Sequence, residues 1–164
     1  MQAKDVIKIA LDSTQGMVPM YLGDLSDADL LVRPVPGANH IAWQLGHLID
    51  AERHMLQAQM PDAAYPEMPA GFSELHSTKN AASESTKGFA GKDEYLSLFS
   101  KVRAATLANL SKLSDPDLDR PTTGNMAKYA PNLGAMFILL ANHTLMHAGQ
   151  FTAVRRKLGK PIVF

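Results

Sequence analysis

Apolar residues recur every three or four positions in four separate stretches of the chain, the spacing that places them on one face of an α-helix. These stretches cover about residues 3–22, 39–59, 93–114 and 132–157. Asn39 is a good N-cap for the second helix, and Pro61 marks its end. Gly159 and Pro161 are stop signals for the fourth helix. The pattern therefore predicts four long helices and no strand of consequence.

Two of the connections between these helices are long. Residues 33–37 must be extended, because Pro34 and Pro36 each disfavour helix at the residue before them. Residues 61–91 are rich in Pro, Gly, Ser and Ala, and a short helix is expected within residues 73–83. We therefore expect an all-α fold, a four-helix bundle with long crossover connections, formed by residues 1–164 as a single domain.

Composition narrows the classes of function. The formal net charge is zero, so the chain has no electrostatic reason to bind nucleic acid or an anionic membrane. The most apolar segment, residues 133–141, is too short to span a bilayer, and the N-terminus does not resemble a signal peptide. Because there is no cysteine, any transition-metal site must use His, Asp, Glu and water. The expected location is the cytoplasm.

The fourth helix carries a pair of candidate metal ligands. His143 and His147 fall on its apolar face, one turn apart, so that both imidazoles can reach one ion. The alternative is two core histidines that are satisfied by ordinary hydrogen bonds. Residue Thr144 stands where a His-Glu-x-x-His zinc protease would have glutamate, which argues against that chemistry.

The second helix is harder to interpret. Its periodicity places His47 away from the strongest apolar face, as a surface or boundary residue, yet it places Glu52 in the middle of that face. Either this helix buries two sides, or Glu52 has a partner such as an arginine or a metal. His40 and His54 are expected to be exposed, and His76 in the long connection is expected to be unrelated to the site.

Two blocks of sequence resemble the DinB-like superfamily, and the resemblance extends over essentially the whole chain. The blocks are Arg33-Pro34-Val35-Pro36-Gly37-Ala38-Asn39 with Ile41-Ala42-Trp43-Gln44-Leu45-Gly46-His47-Leu48, and His147-Ala148-Gly149-Gln150-Phe151 with Arg155-Arg156-Lys157-Leu158-Gly159-Lys160-Pro161. The resemblance implies a four-helix bundle and one divalent ion, zinc or nickel before iron, bound by His47, His143 and His147. It also implies low-molecular-weight thiols, such as bacillithiol or mycothiol, as cosubstrates of transferases and isomerases.

Three imidazoles leave coordination positions open, which is typical of a catalytic metal site. With the thiol chemistry that the resemblance implies, a thiol-dependent S-transferase or isomerase acting on a small molecule is the first hypothesis. A metal-activated hydrolase and a non-catalytic metal- or ligand-binding protein are the alternatives. Gln150 is a candidate for a contact to a ligand or to the substrate. Arg155 and Arg156 could attract an anionic substrate, although solvated arginines are common at a helix end. A homodimer is also plausible.

Overall fold

The computed structural model describes residues 1–163, which form α-helices, short 3₁₀ turns and the loops between them. The four long helices are α1 (Ala3–Leu22), α2 (Ile41–Gln59), α4 (Lys92–Ser111) and α6 (Leu133–Lys157), with two short helices, α3 (Phe72–Leu75) and α5 (Asp115–Leu118). Within the described range, one isolated bridge between Pro121 and Asn132 is the only β pairing. The all-α prediction is confirmed.

The helices do not follow one another around the bundle. The most extensive contacts join α1 to α6 and α4, and α2 to α4 and α6. Consecutive helices α1 and α2 therefore lie diagonally across from each other, as do α4 and α6. This arrangement explains the length of the connections from α1 to α2 and from α4 to α6, since a chain that crosses a bundle diagonally cannot turn back in a few residues. The longest connection, from α2 to α4, joins neighbouring helices instead.

The predicted helix boundaries are close to the observed ones, with one correction at the start of α2. The N-cap is His40 rather than Asn39: its ring Nδ1 accepts a hydrogen bond from the backbone N–H of Trp43 at 3.1 Å. At α6, the Asn132 side chain accepts from the N–H of Ala135 at 2.8 Å and fixes the predicted start. The short helix expected within residues 73–83 is α3 followed by a separate 3₁₀ turn, Thr78–Asn80.

A buried polar network joins all four long helices between two apolar clusters. Arg103 of α4 is fully buried and donates to Glu52 of α2 at 2.8 Å. The same guanidinium donates to Thr14 of α1 and to Thr144 of α6, both at 3.0 Å, and Thr106 donates to Glu52 at 2.6 Å. Glu52 therefore has an arginine partner, one of the two partners that its position on the apolar face predicts.

The sequence predicts that no segment of the chain is long and apolar enough to span a bilayer. Among residues 1–163, no helix combines the length and the apolar character that a bilayer crossing requires.

Candidate metal centre

Three histidines from two helices meet where α2 packs against α6. His143 and His147 lie one turn apart on α6, and their rings are 4.8 Å apart between centroids. The ring of His47 from α2 lies 5.2 Å from that of His143 and 5.5 Å from that of His147. One potential ligand atom from each residue lies within 4.8 Å of the other two. The structure thus brings together the three candidate ligands that the resemblance implies.

The inward position of His47 results from burial of two sides of α2. Trp43 is 4% exposed, although it lies one turn before His47 rather than on the strongest apolar face. The indole of Trp43 stacks on the His47 ring, with 4.8 Å between centroids and 8° between planes. Helical periodicity on its own predicts the boundary position of His47, which is half-buried, but not that this side of α2 faces α6, because periodicity assumes a single buried face.

Gln44 fixes the orientation and the tautomer of His147. Its Nε2 donates to the backbone carbonyl of Asn39 at 2.9 Å, so its Oε1 must be the atom that faces Nδ1 of His147 at 2.9 Å. Oε1 only accepts hydrogen bonds, so Nδ1 of His147 carries the proton. Nε2 of His147 is then unprotonated and has a lone pair for an ion.

The two α6 histidines face each other through the ligand atoms. Nε2 of His143 lies 3.2 Å from Nε2 of His147. Two imidazole nitrogens that bind one tetrahedral zinc ion at about 2.0–2.1 Å are about 3.3 Å apart. The spacing of this pair therefore already fits coordination of a shared ion.

Burial keeps these imidazoles neutral. Desolvation, together with a smaller effect of the neighbouring histidines, lowers the pKa of His147 to about 3 and that of His143 to about 4. Desolvation also lowers the pKa of His47. Neutral imidazole is the form that binds metal, so all three rings are in the ligating state at neutral pH. The donor set and its protonation therefore fit a divalent transition metal.

Gln150 is exposed on α6, and no described hydrogen bond joins its side chain to the three histidines, so its predicted role as a contact stays a prediction. The amide that contacts the triad is Gln44 instead. One signal for Gln44 was available in the sequence: it is a polar residue one turn after Ile41 and one turn before Leu48, both on the apolar face.

The arginines at the end of α6 have different environments. Arg155 is 3% exposed and donates to Asp24 at 2.5 Å and to the backbone carbonyl of Tyr21 at 2.7 Å. Arg155 is therefore neither solvated nor free to bind an anionic substrate. Its hydrogen bonds instead join the C-terminal end of α6 to that of α1. Arg156 is exposed, as expected of a helix-end arginine.

Of the remaining histidines, only His54 is exposed as predicted; its ring contacts Asp50 at 3.1 Å. The prediction for His40 is wrong, because its capping role buries it against Phe89, leaving 1% exposed. The prediction that His76 is unrelated to the site is also wrong. His76 is 2% exposed, and its ring packs directly on Gly46, the residue before His47.

Comparison with solved structures places this arrangement in a known fold. YfiT from Bacillus subtilis, described as a probable metal-dependent hydrolase with an unusual four-helix bundle topology, superposes with a TM-score of 0.69 at 15% identity. The match covers 96% of this chain and 89% of YfiT. A conserved protein from Enterococcus faecalis superposes with a TM-score of 0.67 at 16% identity, over 98% and 99% of the two chains.

A comparison with curated proteins finds no match. The family model of the DinB superfamily, in contrast, matches residues 10–151, which include His47, His143 and His147. The chain therefore belongs to the DinB superfamily.

Proposed function

We propose that this protein is a metal-dependent enzyme that holds one divalent ion through His47, His143 and His147. The observation that carries the proposal is the convergence of three neutral imidazoles, one of which is fixed in its ligating tautomer by Gln44. Nitrogen ligands of this kind favour zinc or nickel, with iron as the next candidate. Within residues 1–163, this is the only group of three or more His, Asp or Glu side chains close enough to share an ion.

The site has the features of a catalytic metal site rather than of a closed structural one. Three protein ligands leave at least one coordination position for an exogenous group. His47 and His143 are only partly buried, so a small molecule can approach the triad from solvent. An ion bound there would act as a Lewis acid and lower the pKa of a thiol or water that joins it.

The favoured reaction is a transfer or isomerisation that uses a low-molecular-weight thiol. No carboxylate belongs to the triad cluster in the described part of the chain. A thiol has a pKa of about 8.5, so it needs much less activation than water to become a nucleophile at neutral pH. A triad with no carboxylate among its ligand atoms is therefore better suited to a thiol. The proposed partners are this thiol and a second small molecule.

Metal-activated hydrolysis is the second candidate, and the likeness to YfiT favours it, since YfiT is described as a probable metal-dependent hydrolase. The likeness at 15% identity supports the fold rather than the reaction. A general base would then be required to act on the water, and Asp50, which lies one turn after His47, is the nearest acid along α2.

Turnover assays separate these candidates. Zinc- and nickel-loaded protein would be tested with electrophilic small molecules and with ester or amide substrates, each in the presence and absence of a low-molecular-weight thiol. We expect turnover that requires both metal and thiol and is lost in His143→Ala. Thiol-independent turnover would favour the hydrolase, and metal binding without any turnover would favour the non-catalytic alternative.

A further inference from the structure

The long connection between α2 and α4 is attached to the bundle beside His47, and His76 makes the attachment. Its Nδ1 lies 2.8 Å from the backbone carbonyl of Phe72, so Nδ1 is the donor. Its Nε2 lies 2.8 Å from the hydroxyl of Tyr95 on α4, which must therefore donate to it. The Tyr95 hydroxyl in turn accepts from the N–H of Ala90 at 3.4 Å. All the polar atoms of this ring are satisfied in one orientation.

His76 also lies directly on α2, at the residue that precedes His47. A β-carbon placed on Gly46 would lie 2.0 Å from Cδ2 of the His76 ring, closer than any van der Waals contact. Only glycine therefore allows the ring to take this position. Gly46 is within a helix, where glycine costs about 1 kcal/mol relative to alanine, so the close approach is the physical reason for this residue.

The backbone of His76 completes the link to the triad. The packing on Gly46 brings this backbone next to His47, and its effect there is to raise the pKa of the His47 ring against the larger lowering by burial, which is the effect of a carbonyl acceptor. We therefore infer that the carbonyl of His76 accepts from a ring N–H of His47. A ring that donates one N–H to a carbonyl has its tautomer fixed and presents its other nitrogen to an ion. Gln44 does the same for His147.

We propose that His76 is a positioning residue for the metal centre: by packing on Gly46 and bonding to Tyr95, it holds its carbonyl against the ring of His47. The inference deepens the proposed function and rests on it. The crossover connection is then part of the site, because it selects the tautomer of a ligand that comes from a different element.

The test uses two glycine-to-alanine variants in helices. Gly46→Ala pushes the His76 ring away from α2 without removing a polar group, whereas Gly149→Ala introduces the same methyl group two residues from His147, where nothing lies within 4 Å. Zinc and nickel dissociation constants would be measured by competition with a chelator. We expect Gly46→Ala to bind roughly 10- to 100-fold more weakly than wild type and Gly149→Ala to bind as tightly as wild type.

A second readout does not depend on metal. In the metal-free protein, ¹⁵N NMR of the His47 ring should show one neutral tautomer in wild type and in Gly149→Ala, and an average of two tautomers in Gly46→Ala. Tyr95→Phe removes only the hydroxyl that donates to His76, and it should weaken metal binding in the same direction. Circular dichroism establishes that each variant is folded.

The proposal is overturned if folded Gly46→Ala protein binds metal as tightly as Gly149→Ala and retains a single His47 tautomer. If Gly46→Ala does not fold, wild-type affinity in Tyr95→Phe overturns it instead. Failure of the proposed function gives a different result, because wild type and Gly149→Ala would then both fail to bind metal while the tautomer difference remained.

Discussion

Oε1 of Gln44 on α2 accepts a hydrogen bond from Nδ1 of His147 on α6 at 2.9 Å. The Gln44 amide is held in this orientation because its Nε2 donates to the backbone carbonyl of Asn39. Loss of a contact that fixes the tautomer of a metal ligand typically lowers metal affinity by about 10- to 100-fold. Gln44→Ala should therefore weaken zinc and nickel binding by about this factor, measured by chelator competition.

Gln150→Ala is the matched control for Gln44→Ala. It removes the same amide from the exposed surface of α6, three residues after His147, and should leave the dissociation constant unchanged. A larger loss of affinity in Gln150→Ala than in Gln44→Ala would contradict the assignment of Gln44.

The Glu52–Arg103 pair should dominate the polar contribution to stability. Removing one partner of a buried ion pair leaves the other charge without compensation, which costs about 3–5 kcal/mol. Glu52→Gln should lower the free energy of unfolding by about this amount in urea titrations, because Arg103 is fully buried. Asp12→Asn, which removes an exposed pair with Lys8, should cost less than about 1 kcal/mol.

A double variant completes the test of this network. Glu52→Leu combined with Arg103→Met removes both charges, so it should be more stable than the sum of the single losses predicts. Strict additivity of the two single variants would show that the two side chains do not interact.

His40 should make the stability of the metal-free protein depend on pH. Burial lowers its pKa to about 4, from about 6.5 in the unfolded chain, so the unfolded state takes up this proton first as the pH falls. The contribution of neutral His40 to the free energy of unfolding is therefore fully present above about pH 6.5, and it is progressively lost as the pH falls to about 4. Each such group changes the free energy of unfolding by at most about 1.4 kcal/mol per pH unit.

The variant His40→Asn keeps a good helix-capping residue but removes this titration. We expect a smaller slope of unfolding free energy against pH between pH 6.5 and 4 than in wild type, whatever the absolute stability of the variant. Identical slopes in the two proteins would show that His40 does not stay neutral in the fold.

Much of the fold could be predicted from the sequence, because it depends on local periodicity and on stop signals. The four long helices and the long connection between α2 and α4 follow from such features, and so does the α6 ligand pair, since residues i and i+4 of a helix share one face. That the connections from α1 to α2 and from α4 to α6 cross the bundle diagonally does not follow from them. That a buried Glu52 has a partner also follows, because an unpaired carboxylate cannot remain among apolar side chains, but the choice of Arg103 over a metal comes from the structure.

What the sequence did not predict depends on contacts between distant segments. His47 faces inward because α2 is covered on two sides, and periodicity detects one side only. His76 reaches α2 through the tertiary path of a connection that has no helical period, and His40 is buried by its role as a cap. The cytoplasmic location, the thiol cosubstrate and the homodimer stay predictions.

The measurement that tests the central claim most directly is metal stoichiometry in protein purified without a His tag, stripped and then reloaded with zinc or nickel. Wild type should bind one ion per chain and melt at a higher temperature when loaded. His47→Ala, His143→Ala and His147→Ala should each lose tight binding, while His54→Ala should retain it. A folded wild type that binds no ion and gains no thermal stability, or a His47→Ala variant that binds as tightly as wild type, would contradict the account.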